Sequence, residues 1–245
     1  MKRFLINALL LLAPVSVYAA GGGVQLDKAN IDPNNIQSLQ RGAKMFVNYC
    51  LSCHSAELMR YERIGKDLGL EDKLVMENLV FTGGKLSDLM TVATADADSK
   101  EWFGTVPPDL TVIARARGAD WLYSYMRSFY RDDSKIIGVN NLVFPDVGMP
   151  HVLWELQGWQ EPVLKTVKDA QGHKSKTVTL ELVEPGLMSP KEYDRAIRDL
   201  VNFLDYMGEP AKHERKALGV KVIMFLLVFL IVAYMMKREF WKDIH

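Results

Sequence analysis

Cys50-Leu51-Ser52-Cys53-His54 is the stretch from which the rest of this chain is read. C-x-x-C-H is the spacing of c-type haem attachment, and the spacing has a chemical origin. Each thiol adds across a haem vinyl group and leaves a thioether. The histidine that follows is then held under the ring, where its imidazole reaches the iron as proximal ligand. The sequence contains Cys 2, and both lie in this run, so no thiol remains for a disulfide, a zinc cage or a nucleophile. Two buried cysteines beside a stray histidine, or a C-x-x-C redox dithiol, are the competing readings. Nothing around the run reads as a strand–helix thioredoxin unit. One covalently attached haem c is expected.

Both ends of the chain agree with that expectation. Lys2 and Arg3 open it, and Phe4 to Val17 is almost wholly apolar, followed by Val17-Tyr18-Ala19 with small residues at the positions a cleavage site needs. This predicts a secretory signal peptide over 1–19 rather than a first transmembrane helix, because the apolar run is short of about 18 residues. Covalent haem attachment takes place outside the bacterial cytoplasm, so signal and haem motif support each other. Leu218 to Met236 is a second apolar run, carrying only Lys221, placed to snorkel. At about 1.5 Å per residue it spans nearly the ~30 Å of a bilayer's hydrocarbon. Tyr234, Phe240 and Trp241 sit near its far end as an aromatic belt would. The expected organisation is a signal peptide over 1–19, a periplasmic haem domain over 20–210, a transmembrane anchor over 216–237 and a cytoplasmic tail over 238–245.

Between these ends roughly 190 residues remain, enough for one domain with its own core. Formal net charge is +0, which gives no reason to expect nucleic acid. Ile36 to Cys50 is predicted to be helical, with Leu39, Gly42, Phe46 and Tyr49 near one face. A second helix is predicted from Pro190 to Met207, where Ser189 and Glu192 form a capping box and Pro190 takes the first position. Its stripe is Ile197, Leu200, Val201 and Leu204. The two helices are candidates to cross, with Gly42 either permitting close approach or merely tolerated. Asp120 is expected to cap a third helix running to Tyr130. Val163 to Val167 and Thr177 to Val183, joined by Asp169-Ala170-Gln171-Gly172, predict an exposed β-hairpin. Gly208-Glu209-Pro210 separates domain from anchor. Asp96, Asp98 and Glu101 form an acidic group that could steer a basic partner but reads more readily as a solvated face. The fold class is mainly α: a class I-like c-type cytochrome domain with a β-hairpin excursion and one C-terminal transmembrane helix.

The iron needs a sixth ligand. Most of the twelve methionines are filler, in the signal, the anchor or on helices. Met149 differs, because it lies in the loop Phe144-Pro145-Asp146-Val147-Gly148-Met149-Pro150, braced by glycine and proline. A thioether there suits a ligand and raises the potential. His151 is the rival donor, and an open sixth site is the third possibility. Met149 is the favoured donor.

The chain resembles the cytochrome c1 family, the haem subunit of bacterial quinol–cytochrome c oxidoreductase, the cytochrome bc1 complex. The residues that carry the resemblance are Arg41-Gly42 and Phe46 before the haem motif, Gly84-Lys85-Leu86-Ser87-Asp88, Pro107-Pro108-Asp109-Leu110 with Ala114-Arg115-Ala116-Arg117, Gly148-Met149-Pro150, and the single C-terminal anchor. They run from about Leu39 to Lys237. The resemblance implies His54 and Met149 as axial ligands, and the Pro108 carbonyl as acceptor from the other imidazole nitrogen of His54. It implies Arg117 on a haem propionate, and Trp121 against the haem. The hairpin departs from the mitochondrial pattern. No cysteine pair ties the Met149 loop, as one does in some bacterial relatives.

The resemblance further implies partners: cytochrome b, a Rieske iron–sulfur protein as donor and a cytochrome c-type acceptor, at the bacterial inner membrane. Such a subunit carries an electron and holds no acid or base of its own, so whether to count it as an enzyme is a matter of the complex. A membrane-anchored cytochrome serving an oxidase or a reductase is the alternative, and a haem-based sensor with an open site is a third.

Overall fold

The computed structural model describes residues 24–81, 84–92, 94–168 and 174–242. The signal peptide expected over 1–19, the turn expected at 169–172 and the last three residues of the tail lie outside the described residues.

Two crossed helices organise the domain. Asn35 starts helix α1, Ile36–Met45, where its side chain accepts from the Ser38 N–H at 3.0 Å. The helix widens into a π-turn over Phe46–Cys50, so the expected helix to Cys50 is helical throughout but changes its winding just before the Cys53-His54 pair. Near the other end of the domain stands the long helix Pro190–Gly208, started by the Ser189–Glu192 capping box with Pro190 in the first turn. It meets α1 at Gly42. A Cβ built there would lie 2.1 Å from the Asp199 carbonyl oxygen and 2.6 Å from Phe203 Cβ, so only glycine permits this approach. Around the crossing, the Phe46 and Phe203 rings sit 5.7 Å apart, and Leu39, Ile197 and Leu200 are buried. Each such side chain contributes roughly 1.5–3 kcal/mol through burial. The Asp199 carboxylate is fully used there: Oδ1 accepts from Ser38 Oγ at 2.6 Å and Oδ2 from Arg41 Nε at 2.6 Å.

The chain between the two helices is short elements followed by one longer hairpin. In order these are strand β1, Ala56–Arg60; helices α2, Tyr61–Leu68, and α3, Asp72–Asn78; strand β2, Leu89–Met90; and helices α4, Asp96–Phe103, α5, Ile113–Arg117, and α6, Ala119–Arg127. Strands β3, Phe129–Arg131, and β4, Val139–Asn141, follow, then helix α7, Trp154–Gln157, and strands β5, Gly158–Lys168, and β6, Lys174–Pro185. The long second helix is therefore α8, and Lys212–Phe240 is α9. Helices dominate, and among the described residues the strands form three antiparallel pairs: β1–β2, β3–β4 and β5–β6. The hairpin β5–β6 is longer at both ends than the β-branched residues alone predicted. It pairs from Gly158 with Pro185 to Lys168 with Lys174, and most of the side chains described beyond Gln160 are exposed.

Two expectations are corrected. Asp120 does not cap α6. Gly118, at φ 90°, precedes that helix, and Asp120 sits in its first turn. There its carboxylate accepts from the Ala29 N–H at 2.9 Å and Lys28 Nζ at 2.7 Å, tying down the N-terminal segment. The helix also stops at Arg127 rather than Tyr130, because Phe129–Arg131 pairs with Val139–Asn141 as β3 and β4. Asp96, Asp98 and Glu101 are all exposed on α4.

Helix α8 ends at Gly208 and α9 begins at Lys212. Within α9, Glu214–Phe240 is a 27-residue stretch long and apolar enough to cross a membrane, and none of its most apolar window is buried against the described residues. It extends beyond the Leu218–Met236 run, for a length of about 40 Å.

Candidate functional site

The haem-motif residues owe their positions to backbone hydrogen bonds. The N–H groups of Cys53 and His54 both turn back to the Cys50 carbonyl, at 3.1 and 2.9 Å. Cys50 is buried, and burial pushes its thiol up to about 12, so it is a neutral thiol at physiological pH. Cys53 is half-buried.

His54 is oriented by the Pro-Pro-Asp-Leu run. The Leu110 N–H donates to the Ser55 carbonyl at 2.8 Å, and Asp109 clamps both segments, accepting from the Glu57 N–H at 2.7 Å and the Thr111 N–H at 2.8 Å. This lays the run against the residues that follow the haem motif. It brings the Pro108 carbonyl 2.7 Å from His54 Nδ1, with Nδ1–H as donor. That bond fixes the tautomer and leaves Nε2 as the lone-pair nitrogen. Burial lowers the His54 pKa, outweighing the Pro108 bond and Asp109, so the ring is neutral and able to ligate.

Cys50, Cys53, His54, Pro108, Arg117, Trp121 and Met149 all line one cavity of about 450 Å³. Its walls come from four stretches: the end of the π-turn and the haem motif, residues 103–126, the Met149 loop, and Leu200 and Leu204 of α8. Apart from Arg117 and His54 the lining is overwhelmingly apolar and aromatic, and the volume falls within the roughly 300–1,000 Å³ of cofactor clefts. Arg117 is exposed and makes no ion pair among the described residues; its guanidinium lies 5.1 Å from the Trp121 ring centroid and 5.8 Å from that of Phe144. Two thiols, an imidazole with one free nitrogen, a thioether and an unpaired guanidinium around an apolar slot are the donors an iron porphyrin with propionates requires. The residues fit the group.

His151 does not line this cavity, although its neighbours Pro150 and Val152 do. Its ring is buried, stacked 5.0 Å from Phe129 and edge-on to Trp159 at 5.8 Å. Burial holds its pKa at about 4.

Three residues of the site were not singled out in the sequence. Phe144 lines the cavity under Arg117. Tyr125 lines it one helical turn after Trp121, with the two rings stacked at 4.9 Å, and burial raises its pKa so that the hydroxyl stays protonated. Asn141, fully buried, donates to the Tyr125 carbonyl at 2.8 Å and accepts from the N–H groups of Val143 and Phe144. The i, i+4 spacing of Trp121 and Tyr125 was the available signal for the second.

A sequence profile described as the Cytochrome C1 family matches residues 28–244. The chain belongs to the cytochrome c1 family. It is 49% identical over 245 residues to a cytochrome c1 of Allochromatium vinosum, covering 100% of both chains. It is 48% identical over 245 residues to a protein of Nitrosomonas europaea named ammonia monooxygenase gamma subunit, covering 100% of this chain and 99% of that one. Similarity reaches a mitochondrial cytochrome c1 heme protein of Neurospora crassa, at 27% identity over 84% of this chain and 62% of that one. Membership of the cytochrome c1 family brings with it electron transport, haem and the cytochrome bc1 setting, and α9 fits the membrane attachment.

Proposed function

We propose that this chain is a membrane-anchored monohaem c-type cytochrome of a respiratory bc1 complex, working with cytochrome b and a Rieske protein. The observation that carries the reading is the convergence of all seven expected haem residues on one apolar cavity, with His54 Nδ1 already committed to Pro108. Bound there, haem c would accept one electron from the Rieske centre and release it to a cytochrome c-type acceptor. Cys50 and Cys53 would hold it through two thioethers. His54 and Met149 would ligate its iron, with Pro108 orienting His54; Arg117 would pair with a propionate and Trp121 would pack against the porphyrin. The crossing of α1 and α8, which come from opposite ends of the domain's sequence, supports a class I-like arrangement. On this reading residues 1–19 are removed on export, the haem domain over 20–210 lies in the periplasm, 216–237 crosses the inner membrane, and 238–245 is cytoplasmic.

A second reading has one observation in its favour: the Nitrosomonas europaea relative carries the name of another complex at nearly equal identity. The chain is then a membrane-anchored haem donor or acceptor in a different oxidoreductase. Purifying the complex with this subunit tagged separates the two. Cytochrome b and a Rieske protein in the eluate, with quinol–cytochrome c activity, support the first. Their absence, with a different set of partners, refutes it.

A further inference from the structure

We propose that Tyr125 is a positioning residue for the iron's sulfur ligand, and that its hydroxyl raises the reduction potential by hydrogen bonding to Met149 Sδ. The inference rests on the reading of Met149 as axial ligand. The Tyr125 O–H donates to Met149 Sδ at 3.3 Å. The ring is held on two sides, stacked on Trp121 at 4.9 Å and edge-on to Phe129 at 5.1 Å. Its own carbonyl is held too, by Asn141 Nδ2 at 2.8 Å. The same Asn141 accepts from the Phe144 N–H at 3.1 Å, at the head of the Met149 loop. One buried asparagine thus sets the helix carrying the donor against the loop carrying the acceptor. With both cysteines of the chain in the haem motif, no disulfide ties this loop, and the hydrogen-bonded pair takes over the fixing of the sulfur.

A thioether sulfur has two lone pairs, and one suffices for the iron. The other accepts the hydrogen bond from the phenol O–H. Hydrogen bonding withdraws density from the sulfur and makes it a weaker donor. Oxidised iron depends on that donation more than reduced iron, so the bond favours the reduced state. No proton or electron changes hands at Tyr125.

The test uses the intact membrane complex. Tyr125→Phe keeps the ring and its stack. It is expected to retain the far-red sulfur-to-iron band while shifting the equilibrium three- to tenfold towards oxidised iron, a fall of about 30–60 mV at 59 mV per tenfold. Site-specific 3-fluorotyrosine at position 125 is a stronger donor and is expected to shift it the other way. A purely structural role moves neither variant in this paired sense. Wild-type potentials in both variants, with the band present, overturn the proposal. If Tyr125→Phe fails to assemble, the fluorotyrosine protein decides, and an unchanged potential there overturns it. Absence of the band in the unmodified complex refutes the Met149 reading, and this inference with it.

Discussion

The haem cavity and helix α9 both present apolar side chains that no other part of the described chain covers, and they differ in how the backbone behind those side chains is held. In the cavity the backbone is irregular. It is fixed by specific side chains: Asp109 clamping two segments, Asn141 joining α6 to the Met149 loop, Asn140 accepting from the Asp146 N–H at 2.8 Å, and Lys135 pairing with the Asp146 carboxylate at 2.5 Å. In α9 the backbone satisfies itself through 29 residues of helix. On the proposed function, the difference follows from the two occupants. A planar cofactor with fixed ligand directions needs side chains placed to a fraction of an ångström, whereas lipid needs only length and apolarity. Single substitutions should therefore break the cavity, and only removal should break the anchor.

The largest expected effects are all-or-none. Cys50→Ala or Cys53→Ala each removes one thioether, and haem-stained denaturing gels are expected to show loss of stable two-link haem. Normal stain and an unshifted pyridine haemochrome band in both variants would contradict the attachment. Ending the chain at Gly208 is expected to release a haem-containing domain into the soluble periplasmic fraction, because α8 keeps its capping box and the apolar stretch lies beyond it. Aggregation without haem would show that the domain depends on α9 after all.

A smaller but large effect belongs to the frame that positions the cavity. Gly42→Val drives its side chain into the Asp199 carbonyl and Phe203, and overpacking of that kind costs roughly 1–3 kcal/mol, here at the upper end because the clash is with backbone. Thermal unfolding should show it as a fall in Tm, and a wild-type Tm would mean the helices can separate without cost. The least effect is expected in the hairpin. Arg131, half-buried over Trp159, pairs with the exposed Glu184 at 2.7 Å. Arg131→Gln should leave haem content and potential unchanged. A changed potential would tie the hairpin to the haem.

What was legible in the sequence divides along the same line. Residues whose chemistry is local could be read directly: the haem motif by its spacing, the α8 start by Ser189, Pro190 and Glu192, the apolar stretch by its length. The Met149 loop was legible as a candidate because glycine and proline announce a fixed backbone. What escaped depends on contacts between distant segments. Nothing in the residues around Asp120 shows that its carboxylate serves the Lys28–Ala29 segment instead of its own helix. Nothing near Asn141 shows that it holds Tyr125, sixteen residues earlier. The early end of α6 is likewise decided by the partner strand at Val139–Asn141, which helix propensity cannot register.

The central claim is that the cavity holds one haem between His54 and Met149, with His151 left in its aromatic stack. Comparing Met149→Leu with His151→Leu in the purified complex tests it most directly, through the far-red sulfur-to-iron band and the midpoint potential. Met149→Leu keeps the volume and removes the sulfur. It is expected to abolish the band, open the iron to carbon monoxide and lower the potential by at least about 100 mV, close to two decades of equilibrium at 59 mV each. His151→Leu is expected to keep the band. A band and potential that survive Met149→Leu but disappear with His151→Leu would contradict the account.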